Sequence, residues 1–138
     1  MIKIIKRLLL IFILAFILNI AWEHWHARFY QNYQGGLITE TILARAALFD
    51  ASFTALVSAS FLASWALQKR LWLAFLVGLV FAVGLEIFAL QTGRWAYNSL
   101  MPIIPILKVG LTPTLQLGSI NYLLLKLILS PKINRWLT

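Results

Sequence analysis

Four long apolar runs alternate with short polar or basic interruptions along this chain. Leu8–Trp22 is apolar apart from Asn19, and the polar stretch QNYQGGLITETI follows at 31–42. Gln68-Lys69-Arg70 separates two further runs, and Ser130-Pro131-Lys132 closes the last. The pattern predicts helices over about 8–30, 43–67, 71–92 and 110–130, each near the roughly 20 residues that cross a bilayer. Gly35-Gly36 marks the loop before the second helix, and Glu40 falls in that loop.

One interruption is not polar. Residues 93–109 read GRWAYNSLMPIIPILKV. Leu100–Leu107 is apolar but too short to span, and Pro102 and Pro105 deny it a regular helix. Irregular backbone is not tolerated against lipid, so this segment folds back on protein or lies at the interface. Pro113 falls in the first turn of the last helix, where proline is accommodated. The expected fold is all-α: a single domain, 1–138, forming an integral membrane bundle of four transmembrane helices with a proline-broken segment before the last.

Small residues recur every fourth position in two helices. Ala47, Ala51, Ala55, Ala59 and Ala63 form one ribbon, and Ala74, Gly78 and Ala82 form another that continues to Glu86. Close backbone approach drives helix association in lipid. The two ribbons therefore predict the third helix docked on the second, with Glu86 turned inward.

Composition agrees with the pattern. Of 138 residues, 62% are hydrophobic and 12% charged, where soluble domains carry about 25% charged. The net charge of +8 sits at segment ends, which points to membrane topology and excludes a nucleic-acid partner. Lys3, Lys6, Arg7, Lys69, Arg70, Lys132 and Arg135 outnumber Arg28, Arg45, Arg94 and Lys108 opposite, so both termini are expected in the cytoplasm. Trp65, Trp72 and Trp136 mark the inner interface; Trp22, Trp25, Tyr30, Trp95 and Tyr97 mark the outer one. A basic start before an apolar run also describes a signal peptide, but no small-x-small site ends it, so an uncleaved helix is expected. The absence of cysteine removes thiol catalysis, disulfides and thiolate-bound metals.

The acids then become informative. Glu23 and Glu86 each lie about 15 residues above an inner basic end, hence about 23 Å up at 1.5 Å per residue. Asp50 lies near the outer start of its helix. Intramembrane acids are costly and face the bundle interior. Three at one level predict one shared pocket. Asn19, Glu23, His26 and Tyr30 follow helical steps of four, three and four, while Asp50, Thr54 and Ser58 form a second stripe. Thr112, Gln116 and Ser119 are available from the last helix, and Arg94 and Lys108 lie above to pair with carboxylates.

Glu23-x-x-His26 has the spacing of di-iron bundles, yet no second such pair exists. A single metal on Glu23, His26, Asp50 and Glu86 stands as a lesser alternative, and the main expectation is no metal and no cofactor. His24 points away from His26. A carboxyl kept from water can deliver a proton near neutral pH, and histidine can relay it. The expected catalytic group is Glu23, His26, Asp50 and Glu86. Asn19, Tyr30, Arg94, Trp95, Tyr97 and Gln116 are the expected substrate-binding residues. Glu86 or Glu23 would act as acid or base, His26 as shuttle, Asp50 as partner and Arg94 as clamp. The substrate would be a lipid-like or isoprenoid molecule of the outer leaflet.

Plainer readings stand beside this one. Glu86 with Arg94, and Asp50 with Arg45 or Arg28, would serve equally as ion pairs anchoring helix ends. The chain would then be an accessory subunit of a larger membrane complex, docked through Leu100–Leu107 on a membrane-protein partner or a second copy. Proton or cation translocation ranks third, because the inner half offers only hydroxyls and Lys126.

Two phrases, NIAWEHWHARFY at 19–30 and GRWAYNSLMPIIPILKVGLTPTLQL at 93–117, resemble stretches of small polytopic bacterial membrane proteins. That resemblance implies a multi-pass protein of a bacterial inner membrane and carries no activity with it. The set of a few helices, glutamates, a histidine and tryptophans is also similar in architecture to emopamil-binding-protein-like isomerases. No motif of theirs transfers residue by residue.

Overall fold

A computed structural model describes residues 2–136, except for the side chains of Asn134 and Trp136. The expectation for Trp136 at the inner interface therefore lies outside the described residues. The chain is mostly helical. Helix α1 runs Ile2–His26 and ends in a 3-10 turn, Ala27–Phe29. Strand β1 is Tyr30–Tyr33, α2 Glu40–Ala63, α3 Trp65–Gln68 and α4 Trp72–Gln91. Strands β2 (Trp95–Tyr97), β3 (Ile103–Ile104) and β4 (Val109–Gly110) follow, then α5 (Leu111–Ile128) and α6 (Pro131–Trp136).

Three segments, Ile2–Phe29, Glu40–Ala63 and Trp72–Gln91, are long and apolar enough to cross a membrane by length and composition. Their outward faces carry exposed Ile13, Ile17, Leu56 and Val80. Helix α5 differs. It buries Thr114, Gln116 and Asn121 among its apolar residues, and it touches α1, α2 and α4. It is the polar-cored helix around which the others close.

The helix ends depart from expectation for local reasons. Helix α1 begins six residues early, because lysine and arginine are good helix formers and the basic start simply continues the helix. Helix α2 begins at Glu40, which is therefore helical and not in the loop; the Thr39 hydroxyl accepts from the Ile42 N–H at 3.4 Å as its cap. It stops at Ala63, where Ser64 turns extended and its hydroxyl caps the single turn Trp65–Gln68. Tyr30 lies beyond the helix and opens a strand.

The helix docking is corrected more substantially. Helix α1 packs along α2, and α4 along α5, whereas α2 and α4 meet little. The Ala74–Gly78–Ala82 ribbon faces α5, not α2. A Cβ on Gly78 would stand 2.5 Å from the Gly118 backbone nitrogen, and one on Gly118 would stand 2.6 Å from the Phe75 carbonyl. The two glycines let the α4 and α5 backbones touch, an approach that no alanine pair allows. Ala47 and Ala51 are fully buried on α2, Ala51 in a core with Ile11 and Ala15 of α1 and Ile120, Leu124 and Ile128 of α5.

The all-α expectation also missed two small sheets. Strand β1 pairs antiparallel with β2, matching Tyr30 with Tyr97 and Tyr33 with Trp95. Strands β3 and β4 form a hairpin, Ile103 opposite Gly110. Pro102 precedes that hairpin and its carbonyl accepts from the Leu111 N–H at 2.7 Å. The proline-broken segment is thus a folded-back cap made of β structure. Its backbone groups pair with one another, which is what a segment at the end of an apolar bundle needs.

Candidate functional site

Helices α1, α2, α4 and α5 all have one end beneath these sheets, and there they surround a cavity of about 310 Å³. Its polar lining includes Glu23, His26, Asp50, Glu86, Gln116 and Arg94. Tyr30 and Trp95 also line it; Asn19, Tyr97 and Ser119 do not. Asp50 and Glu86 are buried and Glu23 half-buried.

Two hydrogen-bond centres divide the acids. The first is the Gln116 side-chain amide on α5. Its nitrogen donates toward Asp50 Oδ2 at 2.9 Å, Asn19 Oδ1 at 2.8 Å and Glu23 Oε1 at 3.2 Å. Asn19 presents that oxygen because its own amide donates to the Ala15 carbonyl at 2.9 Å. An amide nitrogen has two hydrogens, so three acceptors share two protons. A proton on Glu23 or Asp50 would supply the missing donor.

The second centre is Glu86 on α4. It accepts from Tyr30 OH at 3.4 Å, Trp95 Nε1 at 3.3 Å and, most closely, Tyr97 OH. Three donors suit an ionised carboxylate, which can only accept. Tyr97 OH in turn accepts from the Gly110 N–H at 2.9 Å, so Glu86 is tied to the hairpin that caps the bundle. Tyr97 and Tyr30 lie beyond the apolar helices. Burial pushes both hydroxyls well above the usual tyrosine range, and the neighbouring Glu86 carboxylate pushes the same way.

His26 is almost completely buried. Its Nε2 stands 2.7 Å from Thr112 Oγ1, and the Thr112 hydroxyl lies 3.4 Å from Met101 Sδ. Its ring packs edge-on to Tyr30, centroids 5.0 Å apart. His24, on another face, stands 2.6 Å from Glu40.

The expected ion pairs are not formed. Arg94 is exposed, with its guanidinium over the Phe88 ring, and Arg28 stacks on Trp25 and Phe29. Among the described residues neither they, Arg45 nor Lys108 bridges to Glu23, Asp50 or Glu86. Lys108 adopts a left-handed turn conformation in the hairpin loop, which carries its side chain out to solvent. The acids are held by neutral donors instead. Among the described residues no three His, Asp or Glu side chains are grouped to hold a metal ion.

Sequence reasoning missed Asn98 and underused Arg45. Asn98 ties the loop after β2 to the end of α1, its side-chain amide donating to the Arg28 carbonyl at 2.6 Å and its N–H to the Phe29 carbonyl at 2.9 Å. Only the pairing of β1 with β2 brings it there. Arg45 lines the cavity, five residues before Asp50 on α2.

No protein-family model, curated protein or solved structure matches this chain.

Proposed function

We propose that this chain is a four-helix integral membrane protein of a bacterial inner membrane, with both termini cytoplasmic and the cavity at the outer leaflet. In this reading α5 is the fourth span, with its buried polar residues turned to the other three and Leu115, Leu123 and Leu127 turned outward. The cavity binds a lipid-like or isoprenoid molecule and transforms it by acid–base chemistry. One observation carries the reading: three carboxyls and a histidine from three helices face one cavity, and among the described residues neither Arg28, Arg45, Arg94 nor Lys108 bridges to those carboxyls. Structural ion pairs would have closed on arginine.

The hydrogen-bond pattern supports a division of roles. Glu86, held by three donors, is the fixed anion that orients substrate or stabilises a developing positive charge. Glu23 and Asp50, sharing one amide, are the pair that hold and pass a proton. His26, with Nε2 on Thr112, relays it. Apolar lining from Ile42, Leu43, Phe49 and Leu85 receives the hydrocarbon part. The test is the lipid that copurifies with the protein. Glu23→Gln and Glu86→Gln should each change its amount or its chemical form while the fold persists. Unchanged copurifying lipid in both variants would defeat the proposal.

A further inference from the structure

The cavity wall and rim narrow the class of molecule, on the reading just proposed. Arg45 from α2 and Arg94 from the turn after α4 both line the cavity, and both are exposed. Neither bridges to a carboxylate among the described residues, so two positive charges stand at the rim without an anion. Arginine is the side chain best shaped to take a phosphate or carboxylate in two parallel hydrogen bonds.

The side of the cavity is apolar. Ile42, Ala46 and Leu85 are half-buried and Phe49 is exposed, all lining the space between α2 and α4. These two helices barely touch. Where they do meet, Phe81 stacks on Phe53 with ring centroids 4.1 Å apart and on Phe49 at 6.2 Å. Phe49 belongs both to this stack and to the cavity lining, so the aromatic stack borders the cavity on this side as a sill. A side lined by apolar, partly exposed side chains at bundle depth favours entry of hydrocarbon from the bilayer over entry from water.

We propose that the ligand is a single-chain amphiphile with an anionic head, which enters between α2 and α4 above the phenylalanine sill and seats its head between Arg45 and Arg94. A cavity of about 310 Å³ is at the small end for organic ligands of roughly 300–1,000 Å³, which favours one chain over two. Asp50 lies five residues beyond Arg45 on α2, hence about 7.5 Å deeper at 1.5 Å per residue. Asp50 therefore reaches the chain about that distance below the head.

The test compares three oleoyl probes that share a tail: oleoyl lysophosphatidic acid, oleate and mono-oleoylglycerol. Equilibrium binding is measured with the full chain in neutral detergent. Both anionic probes should bind at least about tenfold more tightly than the neutral one, the worth of one charge-assisted hydrogen bond. Arg45→Gln and Arg94→Gln should each erase about tenfold for the anionic probes and leave mono-oleoylglycerol unmoved, with Lys at either position restoring part of the difference. The ratio between the two anionic probes tells phosphate from carboxylate. Ala46→Trp, which narrows the side opening, should slow association of every probe. Equal affinity for charged and neutral probes, or anionic binding unmoved in both arginine variants, would overturn the anionic head while leaving the lipid pocket standing. Unchanged association in Ala46→Trp would overturn the side entry. Failure of all three probes to bind the unaltered protein would overturn the pocket itself.

Discussion

Gln116 donates a hydrogen bond to Asp50 across 2.9 Å inside the bundle, joining α5 to α2 where neither is exposed. The same nitrogen serves Asn19 and Glu23 on α1, so one side chain holds three helices in register. Gln116→Leu would leave three acceptors without that donor. The expected cost is about 1–2 kcal/mol, at the upper end for a buried hydrogen bond because several acceptors are orphaned together. Thermal unfolding in neutral detergent measures it. A variant as stable as the parent would mean that water replaces the amide freely.

Gly78 and Gly84 occupy the same helix and should respond oppositely. A Cβ at Gly78 meets the Gly118 backbone at 2.5 Å, whereas nothing lies within 4 Å of one at Gly84. Gly78→Ala must push α4 off α5 and is expected to destabilise by about 2 kcal/mol or more. Gly84→Ala gains helix propensity and should be neutral or stabilising by up to about 1 kcal/mol. Denaturant titrations of the two variants, run side by side, decide the matter.

The contrast also shows how far the sequence could be read. The four long helices follow from apolar run length, and the levels of Glu23, Asp50 and Glu86 follow from rise per residue. Both are properties of single helices, which periodicity reports directly. Which helix docks on which is a pairwise property. Ala74, Gly78 and Ala82 mark a close-packing face, but that face is equally complementary to the alanines of α2 and to Gly118 of α5. The choice follows Gln116 and Asn121, whose side chains bond to groups on α1, α2 and α4 and so draw α5 against all three. The sheets were illegible for a related reason. Tyr30–Tyr33 and Trp95–Tyr97 are too short to show alternation, and their pairing spans more than sixty residues of chain. Charge alone suggests Arg94 as the partner of Glu86, whereas Tyr30, Trp95 and Tyr97 reach that carboxylate first.

Asn98 is expected to control the cap. It makes two bonds to the end of α1, at 2.6 and 2.9 Å, and its side-chain oxygen accepts from the Leu100 N–H at 2.9 Å. Asn98→Ala keeps the backbone bond and loses the other two. The hairpin and its loop should then open more often, with global stability reduced by about 1 kcal/mol. Hydrogen exchange of residues 99–110 should speed up several-fold while the α2 core stays protected. Uniform change across the chain would count against a local brace.

Tyr97 gives a prediction with a definite sign. Its hydroxyl donates to Glu86 and accepts from Gly110, and burial holds its ionisation above the usual value of about 10. In the unfolded chain the phenol ionises near that usual value; in the folded chain it does so only at higher pH. Between the two the unfolded state binds fewer protons than the folded state, so stability falls as pH rises above about 10 and is unaffected by this group below it. Tyr97→Phe removes that part of the alkaline loss. It also orphans the Gly110 N–H and takes the closest donor from Glu86, at a cost of about 1–3 kcal/mol near neutral pH. The variant should therefore start less stable and show a flatter decline in alkali. Phenolate absorbance should show the Tyr97 signal, taken as parent minus variant, rising only beyond the ordinary tyrosine range. A Tyr97 signal that titrates near 10 would mean that water reaches the Glu86 cluster, and that the β cap does not seal the cavity from above.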